Sequence, residues 1–381
     1  MIRTISALRI AAGLVAAAWS GVAVPAPTAA QTDFPQFRFS LGKVGVNPSE
    51  TTLTTKNVKS LKRLWIGKTR GDIYSSTAVV GGVAYVGSYD GKVYAFNAAN
   101  GTPVWTAGTG GPVQSSPAVA NGVVYIASTD DNLYALDATT GAQVWVAPTG
   151  GIVRASPAVW KGTVYVGSED NKLYAFKAAT GKPLWTATTT GKIDASPAIA
   201  GGIVYVASLD KNVYAFNAKT GSQIWTKPTG GPIYSTPSIS KGALYVGSTD
   251  ASIYAFDAAT GNPLWTFATN GDLWGCQAVS KGVVYVVSGG TGNTLYALNA
   301  SDGSVIWQSA PISGELGSPP TVANGVVYFG SKNNSVYAFS TKSGKQLWSF
   351  ATSGEVIASP TVVNGMVYLG SNDHELYAFG L

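Results

Sequence analysis

From about residue 70 to the C-terminus, short runs of apolar and β-branched residues alternate with short runs of turn residues, and the whole phrase repeats with a period of about 40 residues. Residues 115–145 show one complete period. It begins Ser115-Ser116-Pro117-Ala118-Val119-Ala120, turns at Asn121-Gly122, and continues as Val123 to Ser128. A second turn, Thr129 to Asn132, leads into Leu133 to Asp137, and Ala138-Thr139-Thr140-Gly141 leads into Ala142-Gln143-Val144-Trp145. Such runs, bounded by Asn-Gly, Asp and Gly, predict four antiparallel strands, A to D, with a tight A–B hairpin. No helical period interrupts them after residue 35.

Counting the copies sets the topology. The strand C tyrosine recurs at Tyr94, Tyr134, Tyr174, Tyr214, Tyr254, Tyr296, Tyr337 and Tyr377. The strand D tryptophan recurs at Trp105, Trp145, Trp185, Trp225, Trp265, Trp307 and Trp348, one fewer, because the chain stops at Leu381. The missing partner stands at the other end, in Leu61-Lys62-Arg63-Leu64-Trp65. A four-stranded unit of this length is the size of one β-propeller blade. An open seam between first and last blades would leave a strand edge exposed. The expectation is therefore an all-β, eight-bladed propeller over residues 61–381. Strands A to C of its last blade should fall between Ile357 and Phe379, and its strand D should run from Leu61 to Ile66. Residues 31–60, rich in Pro, Ser, Thr and Asn, read as an extended lead-in crossing the propeller surface.

The first 30 residues read as a secretory signal peptide. Arg3 and Arg9 flank a short Ala/Val/Leu run from Ile10 to Val24, and Thr28-Ala29-Ala30 supplies small residues for cleavage near Ala30. The expected destination is the periplasm or the exterior. The apolar run is short for a membrane span, and with no cysteine near it no lipid anchor is expected there. Beyond residue 30 there are 23 basic and 19 acidic side chains. The lysines are scattered through turns (Lys161, Lys211, Lys241, Lys281), which predicts a solvated surface and no nucleic-acid footprint. The single cysteine, Cys276, excludes an internal disulfide, a cysteine-type zinc cluster and c-type haem attachment.

Where the copies agree, the chemistry is structural. An aspartate between strands B and C at Asp90, Asp130, Asp170, Asp210, Asp250 and Asp373, with Asn333 in the seventh repeat, is expected to cap its own turn. Where the copies disagree, specificity can reside. The third residue after the glycine in each D–A link reads Tyr74, Gln114, Arg154, Asp194, Tyr234, Trp274, Gly317 and Ile357. D–A and B–C links share one face of a propeller, so this column should ring the mouth of the central channel. Arg154 is a candidate partner for an anion, and Trp274, Tyr74 and Tyr234 are candidate stacking surfaces. The plainer alternative is that Arg154 and Asp194 pair with each other across adjacent blades. Blade six departs most, with Trp274-Gly275-Cys276-Gln277 before strand A and a longer B–C turn at Gly289-Gly290-Thr291-Gly292-Asn293. A buried structural thiol accounts for Cys276. His374, the only histidine, lies in a turn with no orienting partner in view, a poor basis for a general base.

The phrases Asp137-Ala138-Thr139-Thr140-Gly141-Ala142-Gln143-Val144-Trp145 and Asp257-Ala258-Ala259-Thr260-Gly261-Asn262-Pro263-Leu264-Trp265 resemble the tryptophan-docking motif of the pyrroloquinoline quinone (PQQ) repeat family. Phe34-Pro35-Gln36-Phe37-Arg38 resembles that family's lead-in. The resemblance implies that Trp65, Trp105, Trp145, Trp185, Trp225, Trp265, Trp307 and Trp348 pack between neighbouring blades. The repeat is shared by quinoprotein dehydrogenases, BamB-type outer-membrane assembly proteins and other exported propellers, so it implies fold more narrowly than function. The dehydrogenases carry long insertions with quinone and calcium ligands, and these repeats are nearly bare. The function expected is an exported, monomeric, non-catalytic scaffold for a protein or cell-envelope partner, with no catalytic residue, metal or cofactor. Two alternatives stand beside it: a PQQ-dependent dehydrogenase holding PQQ with calcium, and a small-ligand sensor using the channel mouth.

Overall fold

The turn chemistry decides where each strand ends. At the A–B hairpins the first turn residue adopts a positive φ, whether it is Asn121 (51°), Lys161 (47°) or Asn364 (53°), and a glycine follows it. This is the pair of left-handed residues that a two-residue hairpin requires. The computed structural model describes residues 32–290 and 292–381. Within them lie eight four-stranded antiparallel sheets, one of which carries a short fifth strand. Blade two shows the plan, with strands Ala118–Ala120, Val123–Ala127, Asn132–Asp137 and Gln143–Pro148 paired in chain order. The export signal read at residues 1–30 lies outside the described residues. Among the latter no helix is long and apolar enough to cross a membrane.

The ring closes through the N-terminus. Lys62–Lys68 pairs antiparallel with Glu375–Gly380, with Ile66 opposite Tyr377, and completes the sheet formed by Thr361–Val363 and Met366–Gly370. A register shift between Arg63 and Trp65 reproduces the bulge of the ordinary C–D pairs, such as the one at Ala95/Phe96. The orphan strand is therefore a strand D in detail, extending two residues beyond the expected Ile66.

Each tryptophan ties its blade to the next. Trp105 Nε1 donates to Ala138 O, Trp145 to Ala178 O, and Trp348 to Leu61 O across the seam; all eight such bonds span 2.9 to 3.2 Å. The indole lies against the turn glycine of the following blade. At Gly141, with φ of 74°, a Cβ would sit 2.7 Å from the Trp105 ring, so the position needs glycine for both backbone and space. Tyr125 packs on Trp145 with ring centroids 5.7 Å apart. Replacing a buried aromatic with these contacts leaves a cavity and removes the inter-blade indole bond, so that Ala178 O keeps only Tyr125 Oη as a side-chain donor. Trp145→Ala should lower stability by about 3 kcal/mol in a urea titration, while His374→Ala, at an exposed turn, should stay within about 0.5 kcal/mol. An unchanged midpoint for Trp145→Ala would show that the indole carries no inter-blade load.

The lead-in does more than cross a surface. C–D turns bond to A–B hairpins, as Ala138 N does to Gly122 O, so these turns share one face. On that face the lead-in runs around the inner edges of the strands A. Carbonyls of Phe34, Pro35, Leu41, Gly42, Val44 and Gly45 accept from Val79 N, Val119 N, Ile199 N, Ile239 N, Val279 N and Val322 N at 2.7 to 2.9 Å. Asn47 Nδ2 donates to Val362 O at 2.9 Å. Val46–Asn47 forms a parallel pair with Thr321–Ala323, the fifth strand of blade seven. Seven of eight inner edges thus find their partner in one short segment, which satisfies six buried backbone donors and one carbonyl that would otherwise need water. To make the circuit the chain turns through left-handed conformations at Arg38, Phe39 and Lys43.

Candidate functional site

The opposite face, formed by D–A and B–C links, is organised by the aspartate ring. Asp130 Oδ1 accepts from Asn132 N at 3.1 Å, which is the expected turn cap. Its Oδ2 does a second job, accepting from Tyr134 Oη at 2.5 Å and from Gly110 N at 2.7 Å. The carboxylate so fastens the D–A link to the B–C turn, and Tyr94, Tyr174, Tyr214, Tyr254 and Tyr377 repeat the tyrosine bond to their own aspartates. Below this, a girdle of small side chains joins blade to blade. Ser76 N donates to Ser116 Oγ, Ser116 N to Ser156 Oγ, Ser156 N to Ser196 Oγ, Ser196 N to Thr236 Oγ1 and Thr236 N to Cys276 Sγ. Cys276 is buried and stands where other blades place a hydroxyl, at 3.2 Å from its donor. At blade seven Pro319 has no N–H to give, and the girdle reroutes through Ser359 Oγ to Pro319 O.

On this frame the variable column comes together. Arg154 Nη1 donates to Gln114 Oε1 at 3.1 Å. Tyr234 and Trp274 pack together, tilted by 36°, with centroids 4.5 Å apart. Tyr74 packs on Tyr89, from a B–C turn, at 5.6 Å. Trp274 is 42% exposed while its column neighbours are half-buried. Gly317 and Ile357 occupy the same positions in blades seven and eight and bring no polar group.

Arg154 and Asp194 do not pair with each other. Arg154 Nε instead donates to Glu169 Oε1 at 2.5 Å, and Lys192 Nζ donates to Glu169 Oε2 at 2.6 Å. Glu169 lies in the B–C turn of Arg154's own blade, and its two oxygens take one cation each. Burial pushes the Glu169 carboxyl up, but its bonds to Lys192 and Arg154 outweigh this and hold it below the usual range. Asp194 is left over. Its Oδ1 is buried with no hydrogen-bond partner among the described residues, and burial, then Glu169, push its carboxyl above the ordinary range. His374 does have a neighbour, Asp72, at 3.1 Å from Nε2. Sequence reasoning missed Glu169, Lys192 and Tyr89. Glu169 and Tyr89 each precede a turn aspartate, and that position reads Tyr89, Thr129, Glu169, Leu209, Thr249, Lys332 and Asn372, a second variable column open to the same comparison.

Two other surfaces compete with the mouth. Strand D of most blades exposes an apolar residue at its outer edge, such as Val144 (51%), Leu184 (51%) and Leu264 (51%). This rim repeats the same chemistry around the ring. On the hairpin face a cleft of about 510 Å³ lies between the lead-in and blades five to seven, floored by Phe39, Val44, Val46 and Tyr285. It owes its existence to the lead-in and has no counterpart in the repeat. Among the described residues no three His, Cys, Asp or Glu side chains converge on one point.

The family model described as outer membrane protein assembly factor BamB matches residues 46–151, 146–234, 212–315 and 292–380, nearly the whole propeller. The chain belongs to this family. A curated BamB from Shewanella oneidensis is 42% identical over 62 residues, which cover 16% of this chain and 15% of that relative. The BamB crystal structure from Moraxella catarrhalis superposes with a TM-score of 0.75 at 19% identity, covering 84% of this chain and all of that one. Quinohemoprotein alcohol dehydrogenase from Comamonas testosteroni gives 0.80 at 16% identity, over 91% of this chain and 80% of that one. At such identities the likeness is one of fold, shared by BamB family members and quinoprotein enzymes alike.

Proposed function

We propose that this BamB family member is an exported, non-catalytic scaffold that binds a protein partner of the cell envelope through the mouth face. The observation that carries the reading is the exposed Trp274 packed against Tyr234, in the column where otherwise matching blades differ. Exposed aromatic anchors beside a polar surround are the composition of protein-binding hot spots. The rim repeats one chemistry and so cannot select a partner by itself. The relative from Shewanella oneidensis is named as an assembly factor, which favours a partner in outer-membrane protein assembly.

A photo-crosslinking residue placed at Tyr74 in the mouth and, separately, at Leu184 on the rim tests this in cells of the source type. A discrete crosslinked partner is expected from the mouth and none from the rim, and Trp274→Ala should reduce the adduct at least tenfold. The reverse pattern would move the interface to the rim. A parallel titration with PQQ plus calcium addresses the enzyme alternative, which requires saturable binding with a quinone spectrum.

A further inference from the structure

The charged groups of the mouth are not all paired by hydrogen bonds. Arg154 and Lys192 both bond to Glu169, and Arg154 also bonds to Gln114. Both cations already bond an anion, which offsets much of their charge within the mouth. Asp194 is the opposite case, a carboxylate whose Oδ1 is buried and lacks any donor among the described residues. A buried acceptor left unmade is the unstable member of such a network. In column order the next two blades supply Tyr234 and Trp274, the tilted and partly exposed aromatic pair.

Resting on the mouth reading above, we infer that the Asp194–Tyr234–Trp274 sector receives a guanidinium presented by the partner protein, an arginine side chain. A planar guanidinium meets both requirements: an N–H bonds a carboxylate oxygen, and its face stacks on an aromatic ring. An ammonium satisfies the carboxylate but stacks less well. Burial and Glu169 hold the Asp194 carboxyl above its usual range against the opposing pull of Arg154 and Lys192, so a further cation that arrives with its own donors favours its charged form.

The test uses the purified mature protein and three capped tripeptides, acetyl-Gly-Arg-Gly-amide and its Lys and Glu counterparts, followed by calorimetry and tryptophan fluorescence. The Arg peptide is expected to saturate and to quench Trp274, the Lys peptide to bind more weakly, and the Glu peptide not at all. Asp194→Asn and Trp274→Ala should each weaken the Arg peptide at least tenfold; Asp194→Ser replaces the Asn variant if that one does not fold. Equal binding of the Glu peptide, or an affinity for the Arg peptide within twofold of wild type in Asp194→Asn, overturns the inference. Free argininamide binding as tightly as the peptide would also overturn it, by showing a small-ligand site in place of a protein-presented one. If Trp274→Ala removes the crosslinked partner and Asp194→Asn leaves it intact, the scaffold reading stands and the guanidinium falls. If neither variant affects the partner, both fall.

Discussion

A chain lacking residues 32–68 will lose cooperative unfolding and self-associate. The deletion removes strand D of blade eight, so the Glu375–Gly380 edge, paired by Lys62–Lys68 in the intact ring, presents an unpaired row of N–H and C=O groups. It also takes Trp65 from its place against Gly101, removes the Leu61 carbonyl that Trp348 bonds across the seam, and strips the inner edges of seven strands A. Repeat arrays are stabilised mainly by interfaces between neighbours, and this deletion opens one of them completely. Sedimentation and denaturant titration should show a broad, non-cooperative transition and oligomers. Supplying residues 32–68 as a separate peptide should restore a monomer. A truncated protein that remains monomeric with an unchanged melting temperature would mean that the ring does not depend on this strap.

The strands were legible because period-two alternation and left-handed hairpin pairs are local signals, and the closing strand was legible by arithmetic, from one tryptophan too few at one end and one too many at the other. The path of the lead-in was not. Its bonds to the strands A are made by its own backbone carbonyls, which any residue carries, and its sharp turns fall on Arg38, Phe39 and Lys43, where glycine would have been the signal. The mouth column was visible as variability, but its pairing was not. Arg154 and Asp194 are equally compatible in sequence. The choice of Glu169 follows from its place on the B–C turn facing the D–A link, a juxtaposition set by the aspartate clamp.

The lead-in also brings two cations into the interior, and one of them opposes folding. Arg38 and Lys43 are fully buried, at 1% and 0% exposure. Arg38 compensates well: Nε donates to Lys43 O, Nη1 to Pro320 O and Nη2 to Gln277 O. Lys43 Nζ has one bond, to Phe37 O at 3.3 Å, and the face of the Phe37 ring at 5.8 Å. No carboxylate is in bonding range among the described residues. Burial lowers its pKa from 10.5 to about 7; Cys276 opposes the shift, and the Arg38 charge adds a smaller push in the same direction as burial. A buried amine whose folded pKa is depressed binds fewer protons folded than unfolded between those two values, so stability rises with pH across that window. Below pH 7 both states carry the proton and the full penalty of burying the charge is felt; above about 10.5 both are neutral and it vanishes. Lys43→Met keeps the aliphatic volume and the left-handed backbone bond pattern while removing the charge. It should stabilise the protein at pH 6 by several kcal/mol, with a ceiling of roughly 5 kcal/mol from the linkage relation. The gain should shrink steadily as pH rises from 7 to 10. Because other groups titrate equally in both proteins, the difference between their denaturant midpoints isolates this one. A gain that does not change with pH would assign the effect to packing, and a loss of stability at pH 6 would show that the Lys43 charge is compensated within the channel.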